Sequence, residues 1–183
     1  MPVIGIMVGS PSDLGVASKG AEILAEFGVE YEVGIASAHR TPADAVNYAA
    51  GAHGRGVKVI IAMAGMSAAL PGVMAAHTTL PVIAVPIASG ALNGVDALLS
   101  AAQMPPGVPV GSVGIDGAKN AALLAVRILA TGDEKLRAKL ETWSEKTADA
   151  ARKNRQKTAE ANLPAAPDSA YGKNDRFSVT PRG

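Results

Sequence analysis

The chain has 183 residues, 48% of them apolar, so it can bury one sizeable core. Before about residue 150 there is no break in composition that would indicate a second domain. Its 17 basic and 16 acidic residues nearly cancel, and aromatic residues make up only 3%, which disfavours a nucleic acid or an anionic membrane as partner. The chain contains no cysteine, which excludes disulfides, thiolate metal sites and thiol nucleophiles.

The amino-terminal stretch "MPVIGIMVGS" has neither a basic region nor a small-residue cleavage site typical of a signal peptide. No apolar segment reaches about 18 residues without a charge or a helix breaker, which is the length that a membrane-spanning helix needs. We therefore expect a soluble cytoplasmic protein.

Short apolar runs rich in β-branched residues alternate with stretches of helical periodicity. The predicted strands are residues 3–8, 31–36, 57–64, 81–88 and 108–115. The predicted helices are residues 14–27, closed by Gly28, a helix from Thr41-Pro42 to Gly54 or Gly56, and residues 70–77, 93–102 and 117–130. Strands that are apolar on both faces predict a parallel sheet covered by helices on each side, which is a three-layer αβα sandwich.

The composition changes after Gly132, and this change predicts three segments. Residues 1–132 form the α/β domain, residues 133–156 a charged amphipathic helix, and residues 157–183 a polar, proline-rich tail. Leu136, Leu140 and Trp143 make an apolar stripe on the helix, which either packs on its own domain or forms a subunit contact. The tail lacks any periodicity, so we expect it to be disordered or docked on a neighbouring subunit.

Ligands of an open parallel sheet bind beyond the carboxyl ends of the strands. The loops there are residues 8–13, 36–42, 64–72 and 87–96, all built from small and polar residues. In the first loop, "GSPSD" can offer backbone N–H groups and hydroxyls to an anion, or Ser10 and Ser12 can simply cap the next helix. Asp13 either complements the dipole of that helix or accepts hydrogen bonds from a ribose.

The second loop places His39 beside Arg40. Arginine has a planar fork suited to phosphate, and histidine exchanges protons near neutral pH, so the pair can combine an anion clamp with a proton carrier. The alternative is a histidine bonded to a nearby carbonyl and an arginine paired on the surface. The third loop, "AGMSAALPG", offers backbone amides to a planar ligand, or its small residues only allow close packing. We find neither paired carboxylates nor a metal-ligand cluster at the strand ends.

The motifs "GSPSD", "SAHRTP", "LPG", "LNGVDALLSAAQMPPGVPVG" and "KNAALLAVRILA" occur in this order. With them the chain resembles the PurE family of purine biosynthesis over about residues 3–145. The resemblance implies a flavodoxin-like domain assembled into a homo-octamer. It also implies an enzyme that acts on a small-molecule ribonucleotide, a carboxylated aminoimidazole ribonucleotide, without metal, cofactor or ATP.

The resemblance also implies roles for individual residues. Ser10, Ser37 and Arg40 would hold the 5′-phosphate, Asp13 would bind the ribose hydroxyls, and His39 would be the catalytic residue that moves the proton. Residues 65–70 would line the pocket for the base and its carboxylate. The predicted substrate-binding residues are Gly9, Ser10, Ser12, Asp13, Ser37, Ala38, Arg40, Gly65, Met66, Ser67, Ala69 and Leu70.

The family has two classes. Class I enzymes convert N5-carboxyaminoimidazole ribonucleotide (N5-CAIR) into 4-carboxyaminoimidazole ribonucleotide (CAIR), and usually carry a second histidine where this chain has Ala69. Class II enzymes carboxylate aminoimidazole ribonucleotide (AIR) with carbon dioxide and also have alanine there, but usually carry lysine at the position of Arg40. Arg40, Pro71, Trp143 and residues 103–111 favour class I, with the class II carboxylase as the alternative.

Two further hypotheses come from other functional classes. The first is a non-catalytic nucleotide- or FMN-binding module on the same fold. A flavin site would be expected to place aromatic residues in the strand-end loops, and these loops contain none. The second hypothesis is a structural oligomer that retains the fold and a vestigial site without turnover.

Overall fold

The computed structural model describes residue 1 and residues 3–171. It divides into two compact units, the first ending at Asp133 and the second beginning at Glu134, and each is described by itself. The last part of the predicted tail, residues 172–183, lies outside the described residues.

The first unit is a parallel sheet of five strands between two helical layers. The strands are β1 (Ile4–Val8), β2 (Tyr31–Ile35), β3 (Val59–Gly65), β4 (Val82–Ile87) and β5 (Gly111–Ser112). The helices are α1 (Leu14–Phe27), α2 (Pro42–Ala52), α3 (Leu70–Ala76), α4 (Val95–Ala102) and α5 (Ala118–Ala130). The strand order is β2-β1-β3-β4-β5, so the predicted αβα sandwich of flavodoxin-like type is confirmed.

The two faces of the sheet are covered by different helices. On one face, α1 packs against α5, and the helices approach so closely that a Cβ at Gly20 would lie 3.0 Å from the Ala118 carbonyl oxygen. On the other face, α2 and α3 pack together over an alanine-rich core that includes Met7 and Ile60. The small helical residues explain how so few aromatic side chains suffice to fill the interior.

Local signals place most helix ends correctly. Gly28 ends α1 in the left-handed region with φ of 70°, and its N–H bonds to the carbonyl of Ala25. A short 3₁₀ turn follows α2 and ends at Gly56 with φ of 93°. Thr41 is the residue before α2 as predicted, but its hydroxyl makes no cap bond to the helix. It accepts instead from the N–H of Ser37, at 3.0 Å.

The fifth strand is much shorter than its apolar run predicts. The prediction covered residues 108–115, and only Gly111 and Ser112 pair with β4. Pro109 has no N–H to donate to a neighbouring strand. After the strand, the N–H of Val113 bonds to the carbonyl of Ala84 at 3.1 Å and that of Asp116 to the carbonyl of Pro86 at 2.8 Å, so the chain stays beside β4 without regular strand pairing. A short edge strand also limits pairing with other chains.

The described part of the second unit contains two helices, the first where the sequence predicts one over residues 133–156 and the second almost wholly within the predicted tail. They are α6 (Glu134–Lys153) and α7 (Gln156–Glu160), separated by a turn in which the N–H of Arg155 bonds to the carbonyl of Arg152 at 2.9 Å. Leu136 is buried, and Leu140 and Trp143 are half-buried, so the predicted apolar stripe is largely covered.

The first part of the predicted polar tail has local structure. A 3₁₀ turn covers Asp168–Tyr171, and the guanidinium of Arg155 lies 3.7 Å from the centre of the Tyr171 ring. Of the helices in the described part of the chain, none is both long and apolar enough to cross a membrane.

Candidate functional site

A cavity of about 500 Å³ opens beyond the carboxyl ends of β1 to β4. Its centre lies where the chain order of the sheet reverses, between β1 and β3, the place where open α/β sheets bind ligands. Every residue of the predicted set lines it, joined by two others. The lining residues are Gly9, Ser10, Ser12, Asp13, Ser37, Ala38, His39, Arg40, Ala64, Gly65, Met66, Ser67, Ala69, Leu70 and Ser89. None of these lining residues is aromatic, which disfavours a flavin site.

The turn after β1 forms one wall of the cavity. The Ser10 hydroxyl accepts a hydrogen bond from the N–H of Ser12 at 3.4 Å, so the predicted capping by Ser10 is present. The Ser12 hydroxyl lies 3.0 Å from that of Ser10 and 2.9 Å from Oδ1 of Asp13. Asp13 is buried, with 7% of its surface exposed, and makes no side-chain cap bond to α1. Capping and ligand binding are therefore compatible, because the same hydroxyls border the cavity.

The turn after the neighbouring strand β2 forms the adjacent wall and fixes Arg40. The N–H of Thr41 bonds to the carbonyl of Ser37 at 2.9 Å, which closes the turn. The Nε of Arg40 donates to the Ser37 hydroxyl at 3.4 Å, and its Nη2 donates to the carbonyl of Gly9 at 3.3 Å. These two bonds connect the β1 and β2 loops and leave three guanidinium N–H groups for a ligand.

His39 is exposed at the rim of the cavity. Within residues 3–171, its ring makes no hydrogen bond, and Arg40 pairs with no carboxylate. The alternative interpretation, a histidine tied to a carbonyl beside an arginine in a surface ion pair, is therefore not what the structure contains. Both nitrogens of the ring are available for proton exchange with a bound molecule.

The loop after β3 brings backbone close to the cavity. Met66 adopts the left-handed region with φ of 55°, and its side chain is 60% exposed. The N–H of Ala69 bonds to the carbonyl of Ser67 at 2.7 Å, a tight turn that leads into α3. Gly65 allows close approach of the next loop, because a Cβ there would lie 2.3 Å from Oγ of Ser89.

Ala64 and Ser89 line the cavity but are absent from the predicted site. Ala64 belongs to the apolar run of β3, and nothing in such a run distinguishes a cavity-lining residue from a core residue. Ser89 follows β4 in a loop that the sequence predicts at the ligand-binding edge of the sheet, so the sequence does indicate that it lies near the site. A role for its hydroxyl can be inferred only from the residues that surround it in the fold.

Comparisons with known proteins identify the family of the chain. A family model described as AIRC, AIR carboxylase, matches residues 3–150. An N5-carboxyaminoimidazole ribonucleotide mutase of Pyrococcus abyssi is 56% identical over 79% of this chain and 83% of its own length. The protein of that name from Pyrococcus horikoshii is 57% identical over 78% of this chain and 80% of its own length.

A solved structure has the same fold. The crystal structure of Treponema denticola PurE matches with a TM-score of 0.78 and 34% sequence identity, over 86% of this chain and 98% of that one. The resemblance that the motifs indicate is thereby confirmed over most of the chain. The chain belongs to the AIR carboxylase family, also called the PurE family.

Proposed function

We propose that the protein is an N5-CAIR mutase, an isomerase of purine biosynthesis that converts N5-CAIR into CAIR. The observation that carries this proposal is the 56–57% identity to two proteins of that name over nearly four fifths of the chain. The family model matches residues 3–150, a range that includes every strand of the sheet and the loops that border the cavity.

The phosphate would bind between the β1 and β2 loops. Arg40 is held there by Ser37 and Gly9 with its remaining N–H groups unused, and Ser10 and Ser37 line the same cavity. A guanidinium fork and hydroxyl donors match the geometry of a phosphate. Asp13, buried in the same wall, would accept hydrogen bonds from the ribose hydroxyls.

The reaction needs one group that gives and takes a proton. In the proposed route the bond between N5 and the carboxylate breaks, carbon dioxide is released into the cavity, and His39 protonates the nitrogen. Ring carbon C4 then attacks the carbon dioxide, and His39 removes the proton from that carbon. The route requires no nucleophilic side chain of the protein, no oxidant and no reductant. The cavity would retain the carbon dioxide between the two steps.

One observation favours a second candidate, direct carboxylation of AIR. Ala69 occupies the position at which class I enzymes usually carry a second histidine, and class II enzymes share this alanine. The two candidates use the same cavity and yield the same product. They differ in the molecule that supplies the carboxylate.

The deciding experiment gives the purified protein N5-CAIR in one assay and AIR with bicarbonate in another, and measures formation of CAIR. We expect rapid formation from N5-CAIR and at most slow formation from AIR. The reverse preference would establish the carboxylase instead, and absence of product from both would exclude both candidates.

We further propose that the protein works in the cytoplasm as a homo-oligomer, an octamer. The support for an oligomer is apolar surface on the first unit, where Leu92, Val95 and Leu99 are between 50% and 60% exposed. Val95 and Leu99 lie on α4 and Leu92 in the turn before it, and a cluster of large exposed apolar side chains is typical of a contact between protein chains.

A further inference from the structure

The hydroxyl of Ser89 is a buried polar group beside the cavity. Its Oγ is buried and, among the residues that the structure describes, has no hydrogen-bond partner. Buried hydroxyls in proteins are almost always hydrogen-bonded, since an unsatisfied one destabilises the fold by about 1–3 kcal/mol. Ser89 also lines the cavity, so the missing partner can be a bound molecule.

The neighbouring loop leaves space for this hydroxyl. A Cβ at Gly65 would lie 2.3 Å from Oγ of Ser89 and 3.3 Å from the carbonyl oxygen of Ile87, so only glycine at position 65 allows the two strand ends to meet as they do. The hydroxyl therefore lies at the junction of the carboxyl ends of β3 and β4.

The loop that carries Ser89 is held in place from the other side. The N–H of Ala88 donates to Oδ1 of Asp116 at 3.0 Å, and Asp116 adopts a left-handed backbone with φ of 54°. Gly94, at φ of 90°, packs so closely that a Cβ there would lie 2.8 Å from Cγ2 of Ile115. A loop pinned at both ends presents Ser89 in a defined position, which is the property expected of a binding residue.

The strand order separates Ser89 from Arg40. Arg40 follows β2 and Ser89 follows β4, and these strands are three intervals apart in the order β2-β1-β3-β4. Neighbouring strands lie about 4.8 Å apart, so the two loops begin about 14 Å from each other. A ribonucleotide whose phosphate lies at Arg40 would extend its base towards β3 and β4.

We propose that Ser89 binds the carboxylate of the ribonucleotide by donating a hydrogen bond from its hydroxyl. This inference rests on the proposed function, because it takes the carboxylated base as the ligand. A carboxylate oxygen is the strongest acceptor on that base, and a hydrogen bond to a charged acceptor is about twice as strong as one between neutral groups. The ligand thereby supplies the partner that the hydroxyl lacks.

The test is Ser89→Ala, titrated with CAIR and, separately, with AIR, which lacks the carboxylate. We expect the affinity for CAIR to fall about tenfold or more, which is the usual effect of removing a hydrogen bond to a charged group, and the affinity for AIR to stay unchanged. The melting temperature should stay unchanged or rise, because the substitution removes an unsatisfied group. Unchanged affinity for CAIR, an equal loss for both ligands, or loss of the fold would each overturn the proposal.

A matched control is Ser112→Ala, in a serine outside the cavity whose hydroxyl donates to the carbonyl of Val113 at 3.2 Å. That variant should lose some stability and keep its affinity for CAIR, which is the opposite of the result expected at Ser89. Measurements on the wild-type protein distinguish failure of the proposed function from failure of the proposal about Ser89. If it neither binds CAIR nor converts N5-CAIR, the proposed function fails, whereas normal wild-type activity with an unaffected Ser89→Ala variant overturns this inference alone.

Discussion

His39 stands on a turn whose shape does not depend on its own side chain. The hydrogen bonds that close the turn join Ser37 and Thr41, through both backbone and hydroxyl groups. The exposed ring of His39 can therefore be replaced without disturbing the backbone beside Arg40. A substitution of His39 can thus test the proposed proton transfer without altering the turn.

In the variant His39→Asn, we expect binding of CAIR to persist and turnover of N5-CAIR to fall by about two to four orders of magnitude. Asparagine keeps a polar side chain of similar reach but cannot carry a proton. Calorimetric titration beside a steady-state assay measures both properties.

The matched control is His53→Asn, in a histidine that is exposed in the 3₁₀ turn after α2 and does not line the cavity. It should retain wild-type turnover. Turnover close to that of the wild type in His39→Asn, with intact binding, would remove His39 from the proposed mechanism.

At the scale of elements, a polar cluster joins α2 to the amino-terminal end of β2, whereas the cavity lies beyond the carboxyl ends of the strands. The Tyr48 hydroxyl donates to Oε1 of Glu32 at 2.7 Å, and Arg55 donates to the same oxygen at 3.0 Å. Burial opposes ionisation of Glu32, but the hydrogen bonds from Tyr48 and Arg55 outweigh it, and the pKa of this carboxyl is below its ordinary value. Burial and the bond to Glu32 raise the pKa of Tyr48.

We expect Tyr48→Phe to lower the free energy of unfolding by about 1–2 kcal/mol near neutral pH, because it removes a partly buried hydrogen bond to a carboxylate. Since the folded state lowers the pKa of Glu32, the contribution of the cluster is present above the ordinary pKa of 4.5 and is lost as the pH falls through the folded value. The difference between wild type and variant should therefore narrow below about pH 4.5.

Urea unfolding of both proteins at several pH values measures this difference. Activity should not change, since the cluster is far from the cavity. A difference in stability that is the same at pH 7 and at the lowest pH at which both proteins fold would show that Glu32 is not the partner that matters.

At the scale of the whole molecule, the first unit exposes several large apolar side chains that a contact between chains would bury. Val95 and Leu99 on α4 are 50% and 51% exposed, and their spacing of four residues places them on one side of the helix. On the edge strand β2, Tyr31, Val33 and Ile35 are 38%, 45% and 50% exposed, and their alternation places them on one face of the sheet.

Light scattering at micromolar concentration should give the mass of a closed oligomer, eight chains in our proposal. The variant Leu99→Lys should lower this mass, because it places a charge in an apolar contact. Ser100→Lys adds the same charge on a neighbouring exposed residue of α4 and serves as the control. A wild-type protein that scatters as a monomer would contradict the assembly.

The sequence by itself determined the αβα architecture, the limits of most helices and the loops that form the cavity. These features depend on local properties: the alternation of apolar runs with helical periods, the left-handed glycines at positions 28 and 56, and the proline after Thr41. Because parallel strands end at one edge of the sheet, the predicted strands also predicted which loops lie together there. The motif order added the family, and with it the role expected of each residue.

Only the tertiary structure decided features that depend on contacts between distant segments. The fifth strand covers only Gly111–Ser112, although its apolar run is longer. The Thr41 hydroxyl bonds to Ser37 and not to the helix it precedes. The hydroxyl of Ser89, which has no partner among the described residues, lies against Gly65 on another strand, where a Cβ would be 2.3 Å from its Oγ. Hydrogen-bond partners of this kind are set by packing in three dimensions, which no local pattern encodes.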